Sequence, residues 1–94
     1  MIKLEFDPVK DAINREKHGI GLAAAAAILG GAHVRQRSAV QAKSSEERWL
    51  AMGLIEARAF VCVYTVRTDV YRIISLRAAR TKEKRLYEQA FKTK

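Results

Sequence analysis

Residues 60–76 read FVCVYTVRTDVYRIISL, and this stretch decides the fold of the chain. The β-branched and aromatic residues in runs 60–66 and 70–76 are typical of two strands. Thr68 and Asp69 lie between the runs and suit a short turn. The sequence therefore predicts a β-hairpin over residues 60–76.

Patterns on either side of the hairpin predict the other elements. Residues 2–6 alternate apolar and charged side chains, as a half-buried strand does. Asp7 is a good N-cap, Pro8 suits the first position of a helix, and Gly19 can end that helix. The predicted elements are strands over residues 2–6, 34–40, 49–55, 60–66 and 70–76, and helices over residues 8–18, over residues 22–29 and after a Thr81 cap.

These elements predict an α+β fold for one domain spanning residues 1–94. We assign the order β-α-α-β-β-β-α, with a mainly antiparallel sheet and the helices packed on one of its faces. The polar residues 42–45 are expected to form a loop.

Composition limits the chemistry that the chain can perform. The 94 residues include a single cysteine and two histidines. A chain of this size needs nearly all its apolar residues for one core, which leaves no room for a deep cofactor cavity. Cys62 has no partner for an internal disulfide, and with only His18 and His33 beside it a structural zinc site is not expected. We therefore expect neither a metal nor a cofactor.

Basic residues are concentrated in the second part of the chain. The net charge is +8, and residues 59–94 hold nine Lys or Arg against three acidic residues. Clustered positive charge on a folded domain is typical of a protein that binds polyanions, because phosphate contacts release condensed counterions. RNA, DNA and an anionic membrane surface are all candidates, as is an acidic protein. The basic residues could also simply form solvated faces.

The apolar run 20–32 (IGLAAAAAILGGA) is the one segment that could mimic a targeting signal. Its thirteen residues are too few to span a bilayer. The residues before it are neutral overall, unlike the short positive start of a signal peptide. We expect a cytoplasmic protein without membrane contact, which also suits a lone reduced thiol.

Residues 71–80 (YRIISLRAAR) combine a strand with three arginines and a serine. In a regular hairpin Arg67 pairs with Val70 and Thr65 with Arg72. Strict alternation then places Arg67, Thr65 and Arg72 on one side of the sheet and Tyr64, Ser75 and Arg77 on the other. A bulge would change this grouping, and the sequence leaves open which set faces away from the helices.

Arginines on a sheet can hold a phosphodiester and stabilise the charge of its transition state. RNA carries its own nucleophile, the 2′-hydroxyl. Besides the arginines, such a site therefore needs only a group that carries the proton. His18, Tyr64, Tyr71 and Tyr87 are candidates. His18 is also explained as a cation at a helix C-terminus. Ser75 lacks a nucleophile elbow, so we interpret it as a hydrogen-bond donor to phosphate or as an ordinary strand residue.

The chain resembles the BrnT family of bacterial type II toxins, which are small basic ribonucleases with a RelE-like fold. The resemblance spans nearly the whole chain, and its most specific parts are a KHG turn and an RIIS-x-R-A strand. The matching residues are Phe6-Asp7, Lys10, Asn14, Lys17-His18-Gly19-Ile20, Glu47-Arg48-Trp49, Gly53, Tyr64-Thr65, Arg67, Arg72 to Ala78, Glu83 and Arg85 to Glu88. The chain departs from the family in its alanine-rich second helix and at Val66, where the family commonly has glutamate.

The resemblance implies an endoribonuclease that blocks translation and is neutralised by a cognate antitoxin. Such an antitoxin is often a ribbon-helix-helix protein, through which the complex binds operator DNA. As catalytic residues we predict those that hold the scissile phosphate and donate to it, namely Arg77, Ser75, Arg72 and Arg67. As residues that bind RNA elsewhere we predict Lys17, His18, Arg80, Lys82, Arg85 and Tyr87.

Two other functions remain open from the sequence. A non-enzymatic module is possible, because an α-β-β-β-α order read over residues 22–91 is also that of double-stranded-RNA-binding domains. A degenerate toxin, retained only as the partner of its antitoxin, would fit the absence of the family glutamate at Val66.

Overall fold

The computed structural model describes residues 2–41 and 46–91 of the chain. Five strands form one sheet in the order β1-β5-β4-β3-β2, with three helices around it. The loop predicted at residues 42–45 lies outside the described residues. The elements are β1 (Lys3–Glu5), α1 (Pro8–His18), α2 (Ala25–Leu29), β2 (His33–Arg37), β3 (Trp49–Ile55), β4 (Arg58–Arg67), β5 (Val70–Ala78) and α3 (Thr81–Phe91).

The sheet is mainly antiparallel, as predicted. β2, β3, β4 and β5 pair in antiparallel succession, whereas β1 pairs with β5 in parallel. All five predicted strands are formed, but the order β-α-α-β-β-β-α omitted one of them, because four strands separate α2 from α3. The α-β-β-β-α order of a double-stranded-RNA-binding domain is therefore not formed.

Helix α1 begins and ends where the sequence predicts. The Asp7 carboxylate accepts a hydrogen bond of 2.8 Å from the Val9 N–H, and Pro8 needs no such partner. Gly19 closes the helix with a φ of 71°, which glycine adopts without strain. The segment predicted as a second helix is less regular, since a 3-10 turn over Leu22–Ala24 precedes α2.

The main core lies between the sheet and the helices α1 and α2. Leu22, Ala25 and Ile28 pack there against Cys62 and Leu76 of the central strands. Asn14 of α1 is buried within this layer: it donates to the Leu76 carbonyl at 2.8 Å and accepts from the Leu76 N–H at 3.1 Å. The Asn14 amide thereby supplies hydrogen bonds to the backbone of β5 where β1 has ended and no longer pairs with it.

Helix α3 lies on the opposite face, so the prediction that all helices pack on one face is wrong. Met52, Val61 and Ala79 form a second, smaller cluster there, and α3 contacts β2 and β3. The reason is that β4 is apolar on both faces, with Cys62 directed to one core and Val61 to the other. No helix among the described residues is long and apolar enough to cross a membrane.

Candidate functional site

A β-bulge at Ile74 determines which side chains of β5 share a face. Val63 pairs with Ser75 and Tyr64 pairs with Ile73, so Ile74 has no partner on β4. The extra residue offsets the alternation of the strand. The side chains of Arg72, Ser75 and Arg77 consequently lie on the same side of the sheet, away from α1 and α2.

This grouping corrects the prediction from a regular hairpin. The pairings of Arg67 with Val70 and of Thr65 with Arg72 are confirmed. Tyr64, which was expected beside Ser75 and Arg77, is instead buried in the core under the helices. We call the side of the sheet that carries Arg67, Arg72, Ser75 and Arg77 the arginine face.

Among the described residues, two neighbouring cavities open on the arginine face. The Ser75 cavity has a volume of about 370 Å³, and the Thr65 cavity one of about 260 Å³. Arg48 and Ile74 line both, so they form the wall between the two. The Ser75 cavity is lined by Ser38, Ala39, Val40, Arg48, Leu50, Val63, Ile74, Ser75, Arg77, Arg80 and Glu83. The Thr65 cavity is lined by Lys10, Glu46, Arg48, Thr65, Arg67, Arg72 and Ile74.

In the Ser75 cavity, a bidentate ion pair with Glu83 holds the guanidinium of Arg77 in position. Arg77 donates through both Nη atoms to the Glu83 carboxylate at 2.8 Å, and the Arg80 N–H donates to the same carboxylate at 2.8 Å. The hydrogen bonds from Arg77 hold the pKa of Glu83 below its usual range, although burial opposes them. Glu83 is therefore an ionised acceptor at neutral pH and orients the guanidinium.

The other two predicted arginines also have carboxylate partners. Arg72 donates to Glu5 of β1 at 2.7 Å. Arg67 donates through Nε and Nη2 to the Glu46 carboxylate, the Nη2 bond measuring 3.0 Å. The hydrogen bond from Arg67 is the main cause that lowers the pKa of Glu46. Both pairs are partly exposed to solvent, so a competing anion can reach them.

Thr65 contributes a buried hydroxyl to the second cavity. Thr65 is only 5% exposed, and its Oγ1 has no hydrogen-bond partner within residues 2–41 and 46–91. A buried hydroxyl left without a partner costs about 1–3 kcal/mol. An unpaired donor at the wall of a cationic cavity is well suited to a ligand that accepts hydrogen bonds.

The sequence matches, over residues 6–83, the family model described as the ribonuclease toxin BrnT of type II toxin-antitoxin systems. The chain belongs to the BrnT family. Its fold is also similar to the crystal structure of the Brucella abortus ribonuclease toxin BrnT, with a TM-score of 0.62 and 21% sequence identity. That alignment covers 86% of this chain and all of the Brucella chain. No match was found among curated proteins.

In this BrnT-family chain, the residues predicted to bind RNA do not all lie in the two cavities of the arginine face. Arg80 lines the Ser75 cavity together with Arg77. His18 lines a separate cavity with Arg58, and Tyr87 lines a further one, also with Arg58. The exposed residues Lys17, Lys82 and Arg85 line none of these cavities.

The structure brings none of the candidate proton carriers to the Ser75 cavity or the Thr65 cavity. Tyr64 is buried in the main core, where desolvation raises the pKa of its phenol. Tyr71 packs against Tyr64 on that same side, with the rings tilted and their centroids 5.4 Å apart. His18 and Tyr87 line cavities that share no residue with the Ser75 or Thr65 cavity. No group of three or more His, Cys, Asp or Glu suited to a metal was found within the described residues.

Sequence reasoning missed Lys10, Glu46 and Arg48 as site residues, whereas it had placed Thr65 on one face with Arg67 and Arg72. Arg48 was visible only as part of the Glu47-Arg48-Trp49 match, and nothing in its pattern showed that it lines two cavities. Val66 lies between Thr65 and Arg67 in the strand and is directed to the opposite side of the sheet. A glutamate at position 66 would therefore not line the arginine face.

Proposed function

We propose that this BrnT-family chain is a metal-independent endoribonuclease that binds the scissile phosphate of RNA on the arginine face. Arg77 lines the Ser75 cavity and Arg72 lines the adjoining Thr65 cavity. From the two sides of their common wall these arginines would hold the phosphate oxygens, and the Ser75 hydroxyl would donate a further hydrogen bond. The observation that carries the proposal is the bulge at Ile74, which aligns these three residues on one face.

The chemistry requires no nucleophile from the protein. The 2′-hydroxyl of the preceding ribose attacks the phosphorus, its proton leaves to a base, and the bond to the 5′-oxygen breaks. The products are a 2′,3′-cyclic phosphate and a 5′-hydroxyl, for which that oxygen takes up a proton. Negative charge accumulates on the phosphoryl oxygens in the transition state, and a preorganised guanidinium stabilises that charge.

The carboxylate partners leave donors available for such a phosphate. Arg77 has five N–H donors, of which Glu83 takes two and the Ala78 carbonyl takes one at 3.3 Å. Arg72 commits a single donor to Glu5. Both guanidinium groups are thus held in position by one anion while they can still bind another.

We further propose the biological setting that the family implies. Cleavage of RNA in the cytoplasm would block translation, and a ribbon-helix-helix antitoxin would neutralise the chain and carry the complex to operator DNA. The proposed RelE-like architecture fits a sheet that presents basic side chains on one face. Because Val66 does not face the cavities, the missing family glutamate does not favour a degenerate toxin.

The test is cleavage of a labelled RNA by the purified chain in the presence of EDTA. We expect cleavage that leaves a 2′,3′-cyclic phosphate and that stops when the ribose at the cut site is replaced by deoxyribose. Arg72→Ala and Ser75→Ala should each lower kcat/KM by about tenfold to a hundredfold.

The matched control is Arg37→Ala. Arg37 pairs with Trp49 in the sheet register, so it lies on the other face, and its ion pair with Glu47 is largely exposed. This variant should cleave RNA at the wild-type rate. Loss of cleavage in EDTA, or full cleavage by an Arg72→Ala, Arg77→Ala double variant that remains folded, would overturn the proposal.

A further inference from the structure

The Thr65 cavity carries more positive charge than the ion pairs around it neutralise. Four cationic side chains and one carboxylate line it, and Glu5, outside the lining, pairs with Arg72. The cations are Lys10, Arg48, Arg67 and Arg72, and the carboxylate is that of Glu46. An anion of higher charge than a carboxylate is the ligand that such a cavity favours.

We propose that the Thr65 cavity is a second phosphate subsite, which binds the backbone phosphate next to the scissile one. In this subsite the Thr65 hydroxyl donates to a phosphate oxygen and Arg67 exchanges the Glu46 carboxylate for the phosphate. The inference rests on the proposed function, because it assumes that an RNA strand occupies the adjoining Ser75 cavity.

Glu46 occupies the cavity as a phosphate would. Its carboxylate is bound by the Nε and Nη2 atoms of Arg67, the same fork that holds two oxygens of a phosphate. Within the described residues Arg67 is the only ion-pair partner of Glu46. The Glu46 side chain is 32% exposed, so it can rotate into solvent without unpacking the core.

The Thr65 hydroxyl supplies the observation that points to a ligand. The Oγ1 atom is buried and has no hydrogen-bond partner in the part of the chain that the structure describes. Glu46 does not satisfy it, although both residues line the same cavity. A phosphate has more acceptor oxygens than a carboxylate, so it can bind the Arg67 fork and still accept from Thr65.

The two cavities adjoin on the arginine face, as sites for successive phosphates of one RNA strand must. They share Arg48 and Ile74 as a common wall, and Arg72 reaches the Thr65 cavity from the same strand that carries Ser75. Successive phosphates of one strand can therefore enter successive cavities. Glu46 then competes with the second phosphate, and its removal should tighten binding.

The experiment measures binding of the thymidine trinucleotide dTpdTpdT, which lacks the 2′-hydroxyl and is not cleaved. Two further trinucleotides carry a neutral methylphosphonate at the first or the second linkage. The full chain and its Thr65→Val, Thr65→Ser and Glu46→Gln variants are compared, and inorganic phosphate serves as the free-anion probe.

We expect Thr65→Val to weaken binding of the trinucleotide by about tenfold, the effect of one hydrogen bond to a charged group. One of the two methylphosphonates should abolish this difference between Thr65→Val and wild type, whereas the other should leave it unchanged. Thr65→Ser should restore wild-type binding, and Glu46→Gln should tighten it severalfold.

Each outcome decides one point. Equal binding of the trinucleotide by wild type and a folded Thr65→Val variant overturns the second subsite and leaves the proposed function standing. No binding of the trinucleotide by a wild-type chain that cleaves RNA also overturns the second subsite, and the cleavage assay alone decides the proposed function. If inorganic phosphate binds as tightly as the trinucleotide and with the same loss in Thr65→Val, the cavity is a site for free phosphate and the assignment to an RNA strand is wrong.

Discussion

The guanidinium of Arg77, near the end of β5, donates two hydrogen bonds of 2.8 Å to the carboxylate of Glu83 in the first turn of α3. The same carboxylate accepts from the N–H of Arg80, just before the helix begins. One acidic residue therefore orients an arginine of the candidate site and satisfies an N–H at the start of a helix. Removal of Glu83 should therefore affect both the stability of the protein and the orientation of the Arg77 guanidinium.

Glu83→Gln should lower the free energy of unfolding by about 1–2 kcal/mol at neutral pH, because it removes a largely buried, charge-assisted pair. The pKa of Glu83 is depressed in the folded protein. Its contribution is therefore complete above the pKa of an unfolded glutamate, about 4.3, and is lost as the pH falls through the lower folded pKa. Urea denaturation at several pH values measures this.

The matched control for that series is Glu88→Gln, which removes an exposed carboxylate from the same helix. It should change stability by less than about 0.5 kcal/mol at any pH. If Glu83→Gln cost as much at pH 3 as at pH 7, the stabilisation would not come from the ionised carboxylate.

Asn14→Ala should destabilise the protein by about 2–4 kcal/mol. The Asn14 amide donates to the carbonyls of Leu76 and Ile20 at 2.8 and 2.9 Å and accepts from the Leu76 N–H. Its removal leaves buried backbone groups of Leu76 without partners. Equilibrium urea unfolding tests this, with the exposed Glu16→Ala of the same helix as control. A loss no larger than that of the control would show that water replaces the amide.

The elements of this fold were predictable because each has a local signal. The cap by Asp7, the Gly19 terminus and the two β-forming runs of the hairpin all appear in the structure at or near their predicted positions. The side on which α3 packs was not predictable in the same way. It depends on β4 being apolar on both faces, and alternation within a single strand does not say which face a distant helix covers.

The candidate site was predictable only as a set of residue types. The arginines and Ser75 were identified from the motif, but their common face depends on the bulge at Ile74, and a bulge is a property of the pairing with β4. Thr65 reaches the site through the register of β4 with β5, and Arg48 lies immediately before β3. The carboxylate partners Glu5 and Glu46 are far from the arginines in sequence, so spacing gave no signal for them.

Cys62 should be inert toward thiol reagents in the folded protein. It is fully buried in the main core, and desolvation raises the pKa of its thiol to about 12. Since the thiolate is the reactive form, alkylation by iodoacetamide at pH 8 should be at least a hundredfold slower than in urea. RNA cleavage should survive prolonged exposure to the reagent. Rapid native labelling at a rate independent of urea would contradict the burial of this strand.

Thr65→Val should raise the free energy of unfolding by about 1 kcal/mol, although it removes a hydrogen-bonding group. The buried Oγ1 has no partner among the described residues, so valine of nearly the same shape removes a desolvation cost without opening a cavity. Thermal and urea unfolding measure the change, and Thr65→Ser is the control that keeps the hydroxyl and loses a methyl group. If Thr65→Val is instead destabilising by 1 kcal/mol or more, the hydroxyl has a hydrogen-bond partner in the unliganded protein and is not an unsatisfied donor available to a phosphate.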